Sequence, residues 1–167
     1  MHGEEHPDAD RSESSIQYLS FVLGTEEYAV DVLKVQEIRS YEQGTRIPHT
    51  PDYVIGILNL RGAVVPIIDL RRRFDLEAKF DATTVTVLVK AQSETKERTV
   101  GLVVDAVSDV YDVLPEDRKE APDRGQVIGT EFIEGLATLD DKLVILLDVD
   151  NLVNAGVLDR LDQPQKA

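Results

Sequence analysis

The sequence contains no cysteine and no tryptophan, and aromatic residues make up only 5% of its 167 residues. Without cysteine, the chain can form neither disulfides nor thiolate metal ligands, and no reaction can proceed through a thiol. With so few aromatic rings, a hydrophobic core has to be built mainly from Val, Ile and Leu. The β-branched residues favour strands, and they are concentrated in segments such as 83–90 and 99–104. An all-β protein is therefore the first prediction.

Positive charge is also scarce, with 18 Lys and Arg against 32 Asp and Glu and a formal net charge of −14 at pH 7. Nucleic acids and anionic membrane surfaces both require a cationic contact surface, so neither is an expected partner. No apolar run reaches the roughly 18 to 20 residues of a membrane span. The acidic N-terminus also differs from a signal peptide. We therefore expect a cytoplasmic protein without direct membrane insertion.

Motifs for catalysis and cofactor binding are missing. The sequence has no G-x-x-x-x-G-K-[ST] phosphate loop, no G-x-G-x-x-G dinucleotide loop and no G-x-S-x-G nucleophile element. His49 is the only histidine outside the N-terminal tail, and it lies in a loop between two prolines. We expect no enzymatic activity, no cofactor and no metal.

The chain divides into an ordered domain and two tails. Residues 1–14 are polar, acidic and without periodicity, which predicts a disordered tail. The ordered domain is predicted over residues 15–155, and residues 156–167 form a C-terminal tail. Alternation starting at Ile16, followed by a turn at Gly24, predicts that the domain begins with a β-hairpin.

An internal repeat organises the ordered domain. Residues 56–70 align without a gap on residues 135–149, and Gly, Leu, Val and Asp recur at matched positions. Each half is predicted to hold about five short strands, enough to close into a small barrel that leaves no exposed edge. The first barrel is predicted over about 16–80 and the second over about 81–155. If the two barrels exchange a segment, no single residue near position 80 separates them.

Two local features carry further predictions. Pro66 interrupts an apolar run and cannot donate a hydrogen bond to a neighbouring strand, so its strand should be an edge strand or bulged there. The arginines 71–73 follow in a short helical segment, and the simplest interpretation is a solvated helix face.

Four aspartates end aliphatic runs: Asp31, Asp69, Asp105 and Asp148. Paired carboxylates can act as acid–base catalysts or bind a divalent cation, whereas aspartates that follow strands often cap the next turn. An enzyme would require the four to converge around one ion. The repeat places them at equivalent ends of two separate units, which favours capping.

Several aliphatic side chains are candidates for binding. Four of them follow Asp31 too closely for all to lie on one face of a strand: Val32, Leu33, Val35 and Ile38. Val107 and Val110 hold the equivalent place in the second half. Either all of these side chains fill the core, or some of them stay exposed. Arg61 is the exception within the repeat, because its counterpart is Asp140. Folding alone therefore does not require a cation at that turn.

Three segments together resemble the CheW family of bacterial chemotaxis coupling proteins. These are residues 26–74, with the element N-L-R-G at 59–62, residues 100–110 and residues 132–153. The resemblance extends over about residues 16–154. It implies two intertwined, five-stranded SH3-like β-barrels and no catalytic activity.

The resemblance also implies partners and contact residues. Family members connect the cytoplasmic tips of methyl-accepting chemotaxis proteins to the regulatory domain of the histidine kinase CheA, and further copies of the chain are possible neighbours in array rings. A groove between the barrels would receive a helical hairpin of the receptor. The residues carried over as receptor- or kinase-binding are Val35, Glu37, Gly56, Arg61, Gly62 and Val107. An adaptor of a related, non-flagellar array is an alternative that the sequence does not separate from this one.

Overall fold

The computed structural model describes residues 15–92, 96–120 and 132–153. The predicted tails, 1–14 and 156–167, lie outside these ranges. The strands are β1 Ile16–Leu23, β2 Glu26–Asp31, β3 Val35–Ser40, β4 Val54–Leu60, β5 Ala63–Asp69, β6 Val85–Gln92, β7 Glu97–Val104, β8 Ala106–Val113, β9 Arg118–Lys119, β10 Ile133–Leu139 and β11 Lys142–Leu147. The helices are α1 Leu70–Arg73 and α2 Val149–Val153, with 3₁₀ turns at Val32–Lys34 and Pro115–Asp117.

The strands form two sheets. One has five strands in the order β3-β6-β7-β5-β4, and the other has six in the order β8-β1-β2-β11-β10-β9. The repeated segments form the hairpins β4–β5 and β10–β11, and the second strand of each runs parallel to β7 and β2, respectively. The predictions of an all-β fold with two β subdomains and of an N-terminal hairpin, β1–β2, are confirmed.

The order of the chain does not follow the division into sheets. β1 and β2 belong to the six-stranded sheet with β8 and β11, whereas β6 and β7, which come after residue 80, belong to the sheet of β3, β4 and β5. A cut near residue 80 therefore does not separate the two sheets. Each half of the chain supplies one hairpin whose backbone groups are paired by strands of the other half.

The five-stranded sheet curls until its two edges meet. β3 and β4 are its edge strands, yet Thr45, just beyond β3, forms an antiparallel bridge with Ile57 of β4. The two backbone hydrogen bonds measure 2.9 and 2.8 Å. Such close approach requires glycine: a Cβ on Gly44 would lie 2.5 Å from the Ile57 carbonyl oxygen, and one on Gly56 would lie 2.9 Å from that of Thr45. The bridge closes the sheet into a barrel.

The largest hydrophobic cluster is shared by both sheets. It includes Phe21 and Val30 of the six-stranded sheet together with Val87, Val89 and Leu102 of the five-stranded sheet. Smaller clusters lie on the opposite faces of the same strands. These strands are buried on both faces, which explains why their sequences are almost continuously apolar.

The prediction for Pro66 is wrong with respect to an edge strand. β5 lies between β7 and β4, so it is an inner strand. The parallel pairing with β7 begins only at Ile67, one residue after the proline. In the pair with β4, Pro66 lies opposite Ile57, and the irregularity comes just beyond, between Val54 and Gly56. The missing N–H therefore falls just outside the ladder to β7.

The prediction of a solvated face for α1 is wrong as well. Arg71 is 0% exposed, and its guanidinium pairs with the carboxylates of Asp69 and Asp105. Arg73 is half-buried against two aromatic rings. The helix is a single turn capped by the buried Asp69, and its first two side chains, Leu70 and Arg71, are buried.

Capping by the aspartates is confirmed for three of the four. Backbone amides of Leu33, Arg71 and Asn151 donate to the carboxylates of Asp31, Asp69 and Asp148, respectively. Asp105 instead accepts from the Gly24 amide and from Arg71. Within the described ranges, no group of three His, Cys, Asp or Glu side chains could hold a metal ion. No helix there is long and apolar enough to cross a membrane.

Candidate partner-binding surface

β3 provides the first part of the candidate surface. Along this strand, Val35, Glu37 and Arg39 are half-buried, whereas the alternate residues are exposed, as a strand with one covered face requires. The pairing with β6 shifts register between Val35 and Glu37. This bulge increases the local twist and redirects the side chains that follow it.

The turn of the β4–β5 hairpin provides the second part. Arg61 and Gly62 have φ of 53° and 87°, the pair of positive values typical of a type I′ turn. The Asn59 side chain accepts a hydrogen bond of 3.1 Å from the Gly62 amide. The equivalent turn contains Asp140 and Asp141 with φ of 52° and 64°. Aspartate adopts this conformation more readily than arginine, so Arg61 is the less favourable residue for the turn.

The two parts meet through an ion pair. Arg61 Nη2 lies 3.2 Å from Glu37 Oε1, although β3 and β4 are opposite edges of their sheet. The other carboxylate oxygen of Glu37 lies 3.3 Å from Arg39 Nη1, and Arg39 continues to Glu42 at 3.4 Å. The Arg61 side chain is 74% exposed. The result is a row of alternating charges on side chains that are between 31 and 74% exposed.

Arg39 is a residue that sequence reasoning missed. It lies two positions after Glu37 on the same face of β3, so the period of a strand was the available signal. Its guanidinium donates to one oxygen of the Glu37 carboxylate, and Arg61 donates to the other.

The apolar residues predicted for this surface differ in exposure. Leu33 is 87% exposed, and Ile38 and Val110 are exposed as well. Val35 and Val107 are half-buried and pack against the shared core, as does Val32. The open alternative is thereby decided: part of the set fills the core and part remains on the surface.

Val35 and Val107 come from different sheets, since β3 belongs to the five-stranded sheet and β8 to the six-stranded one. Gly62 has open space around it, because no atom lies within 4 Å of a Cβ built there. Gly56 is buried and allows the approach of the Thr45 backbone. Its packing within the chain accounts for the glycine, and a binding role for it remains a prediction.

A groove beside Leu33 is a separate candidate surface. Ile16, Val32 and Leu33 line it together with the carboxylates of Asp31 and Asp112. It combines an exposed apolar side chain with negative charge, the composition suited to a partner with apolar and cationic residues.

Two β subdomains around a shared core, with charged and apolar residues displayed on their surface, define a small β protein suited to contacts with other proteins. The chain belongs to the CheW-like family, whose model matches residues 17–157. It is 41% identical over 152 residues to the chemotaxis protein CheW of Klebsiella aerogenes, covering 90% of this chain and 89% of the relative. It is 36% identical to the chemotaxis protein CheW of Rhizobium meliloti, covering 81% and 86%.

A solved structure agrees with the fold. The scaffolding protein TtCheW from Thermoanaerobacter tengcongensis superposes with a TM-score of 0.75 at 32% identity, covering 83% of this chain and 87% of that one. The resemblance found in the sequence is confirmed, and so is the prediction of a non-catalytic protein, because this is a family of scaffolds. These relatives support a role as scaffold or adaptor in chemotaxis.

Proposed function

We propose that this protein couples methyl-accepting chemoreceptors to the histidine kinase CheA in cytoplasmic signalling arrays at the membrane. It performs no reaction, and it transmits the state of the receptor to the kinase through contacts alone. The observation that carries the proposal is the exposed pair of Arg61 and Glu37 at the closed edge of the five-stranded sheet.

The energetics of this pair favour a role in binding. A non-glycine residue in the left-handed region costs roughly 1 to 2 kcal/mol, and Arg61 adopts it with φ of 53°. A surface ion pair contributes only about 0 to 1 kcal/mol. The contact with Glu37 therefore does not repay the strain of placing arginine on this turn. A contact with a partner would explain why an arginine occupies this position of the turn.

The receptor tip is the partner that fits this surface. Val35 and Val107 are half-buried side chains of different sheets that pack against the shared core. A receptor helix laid across the join of the two sheets would touch the exposed part of both. The charges of Arg61 and Glu37 would set the register of that helix, because charged groups at an interface determine specificity more than affinity. The open space at Gly62 would allow the helix backbone to approach. Gly56 would contribute by keeping the barrel closed beneath the contact.

An adaptor needs a second surface for its other partner. The groove beside Leu33 includes none of the residues proposed to contact the receptor. We assign this groove to the regulatory domain of CheA. Asp31 and Asp112 at the groove favour a partner surface with cations beside an apolar pocket. Other copies of the chain are further candidate neighbours in array rings.

The test measures binding of the purified chain to the CheA regulatory domain and to a receptor-tip fragment. The variant is Arg61→Glu, and Lys119→Glu is its matched control, since it makes the same change of charge at an exposed position of the six-stranded sheet. We expect the wild type and Lys119→Glu to bind both partners. Arg61→Glu should lose receptor affinity and keep its kinase affinity and its thermal stability.

A charge exchange separates a contact role from a structural one. The double variant Glu37→Arg with Arg61→Glu restores an ion pair within the chain but inverts the charges shown to the receptor. Recovery of receptor binding in this variant would contradict a direct contact. If the wild type binds neither partner at high concentration, the proposed coupling is wrong, and an adaptor of a non-flagellar array becomes the hypothesis to test.

A further inference from the structure

Helix α1 lies where the two sheets join. It follows β5 of the five-stranded sheet directly, and Asp69, the last residue of β5, caps it. Asp105, the residue between β7 and β8, is the point at which the chain passes from the five-stranded to the six-stranded sheet. Gly24 belongs to the turn between β1 and β2 of the six-stranded sheet.

Arg71 links these three places by hydrogen bonds. Its Nε and Nη2 donate to the two carboxylate oxygens of Asp69, at 2.5 and 3.2 Å. Its Nη1 donates to Asp105 Oδ1 at 2.6 Å, and the other oxygen of Asp105 accepts from the Gly24 amide at 2.7 Å. Polar bonds therefore run without interruption from β5 to the β1–β2 turn.

The charge of Arg71 is maintained in this buried position. Burial by itself would lower the pKa of the guanidinium, but the hydrogen bonds and charges of Asp69 and Asp105 outweigh it and raise the pKa. Nη1 also donates to the Lys79 carbonyl at 2.9 Å. The side chain is thus fixed in one orientation by partners on several sides.

Arg73 makes a second link of a different kind. Its guanidinium carbon lies 5.0 Å from the ring centroid of Tyr53 and 4.5 Å from that of Phe132. The two aromatic residues hold equivalent positions in the repeat: the Tyr53 carbonyl accepts from the Asp69 amide, and the Phe132 carbonyl accepts from the Asp148 amide. Arg73 therefore lies between Tyr53 and Phe132, which occupy the same position in the two repeats.

Apolar contacts alone would leave the angle between the sheets less well defined. The shared core joins the sheets through aliphatic side chains, and the hydrophobic effect has no direction. Hydrogen-bonded ion pairs do have a direction. The two bonds to Asp69 fix the plane of the Arg71 guanidinium on the side of β5, and that plane aims Nη1 at Asp105, where the chain passes to the other sheet. Fixing one arrangement among several is the best supported use of buried ionic groups.

We propose that Arg71 and Arg73 form an orienting joint that sets the angle between the two sheets, and with it the relative position of the surfaces that each sheet presents. The joint is a property of the isolated chain, so it holds for any partner that contacts both sheets.

The test is a distance measurement between the sheets. Because the sequence has no cysteine, Val64→Cys in β5 and Leu143→Cys in β11 would accept spin labels at these two positions alone, and both parent side chains are exposed. The distance distribution is measured by pulsed electron paramagnetic resonance. The background variants are Arg71→Lys, which keeps the charge but loses the two-bond geometry, and Arg73→Leu, which loses the charge between the rings. Arg72→Gln is the control, since Arg72 reaches Asp69 only at 3.8 Å.

We expect one narrow distance for the parent and for Arg72→Gln. Arg71→Lys and Arg73→Leu should shift or broaden the distribution while circular dichroism shows native strand content. An unchanged distribution in folded Arg73→Leu and Arg71→Lys would overturn the proposal. If Arg71→Lys does not fold, the half-buried Arg73 decides by itself. The measurement uses no partner, so an unchanged distance would leave the proposed chemotaxis role untouched. Equally, a failure of the binding test for that role would leave the proposed joint untouched.

Discussion

Replacing Arg71 by methionine removes a buried cation and leaves two carboxylates behind. The methionine can fill much of the space of the arginine stem, so loss of packing is small beside the electrostatic loss. Asp69 is 0% exposed and would lose the counter-ion that both of its oxygens contact. Breaking a buried pair by removing one partner costs about 3 to 5 kcal/mol. This is a large share of the roughly 5 to 15 kcal/mol that stabilises a typical domain.

The assay is urea unfolding followed by circular dichroism, since the chain has no tryptophan. We expect the midpoint to fall with little change of slope, because the surface exposed on unfolding stays the same. For a domain of this size, about 2 to 4 °C per kcal/mol predicts a Tm lower by roughly 6 to 20 °C.

Two controls complete the experiment. Arg72→Met removes a partly exposed cation of the same helix and should change stability by less than about 0.5 kcal/mol. Adding Asp69→Asn to Arg71→Met removes the orphaned charge and should restore part of the loss. A loss below about 1 kcal/mol for Arg71→Met would refute the reasoning, because the pair would then behave like an exposed salt bridge.

Three other predictions concern the closed barrel, the buried tyrosines and the kinase surface. Gly56→Ala places a Cβ 2.9 Å from the Thr45 carbonyl oxygen at a φ of 155°, and it should lower the free energy of unfolding in urea by about 1 to 3 kcal/mol. Gly62→Ala, with open space around it, should lower it less. Equal losses of stability for the two variants would contradict a packing role for Gly56. Burial, reinforced by the negative charge of Glu26, raises the pKa of Tyr28 to about 12, and burial with the hydrogen bond to Glu134 also raises the pKa of Tyr18. As the pH rises, the unfolded chain therefore loses these protons first, near pH 10. The free energy of unfolding should fall from there through the folded pKa values. Unfolding curves of Tyr18→Phe should show a weaker dependence of stability on pH, and no difference from the wild type would argue against the linkage. Leu33→Asp should change the free energy of unfolding by less than about 0.5 kcal/mol, because the side chain is exposed. Calorimetry should show weaker binding of the CheA regulatory domain and unchanged binding of the receptor fragment. Unchanged kinase binding would show that Leu33 does not contact the kinase.

Much of the fold was accessible from local patterns. Runs of β-branched residues indicated strands, and the gapless repeat of residues 56–70 and 135–149 indicated two equivalent hairpins, because strand period and turn chemistry depend on near neighbours. Capping by Asp31, Asp69 and Asp148 was predictable for the same reason. The contrast between Arg61 and Asp140 within the repeat marked an unusual turn from the sequence alone.

The remaining features depended on contacts between distant parts of the chain. Arg71 points inward because Asp105 arrives beside it from 34 positions further along the sequence, and no helical pattern of four residues contains that information. Arg61 meets Glu37 only because the sheet curls until its edges touch. The exchange of hairpins between the halves is likewise a matter of pairing, since a strand's own sequence specifies its two faces but not which distant strand completes its hydrogen bonds. By itself, the sequence determined strands, turns and caps; the tertiary structure decided which of them are neighbours, because hydrogen bonding between strands and the compensation of buried charge are satisfied only across long separations in the chain.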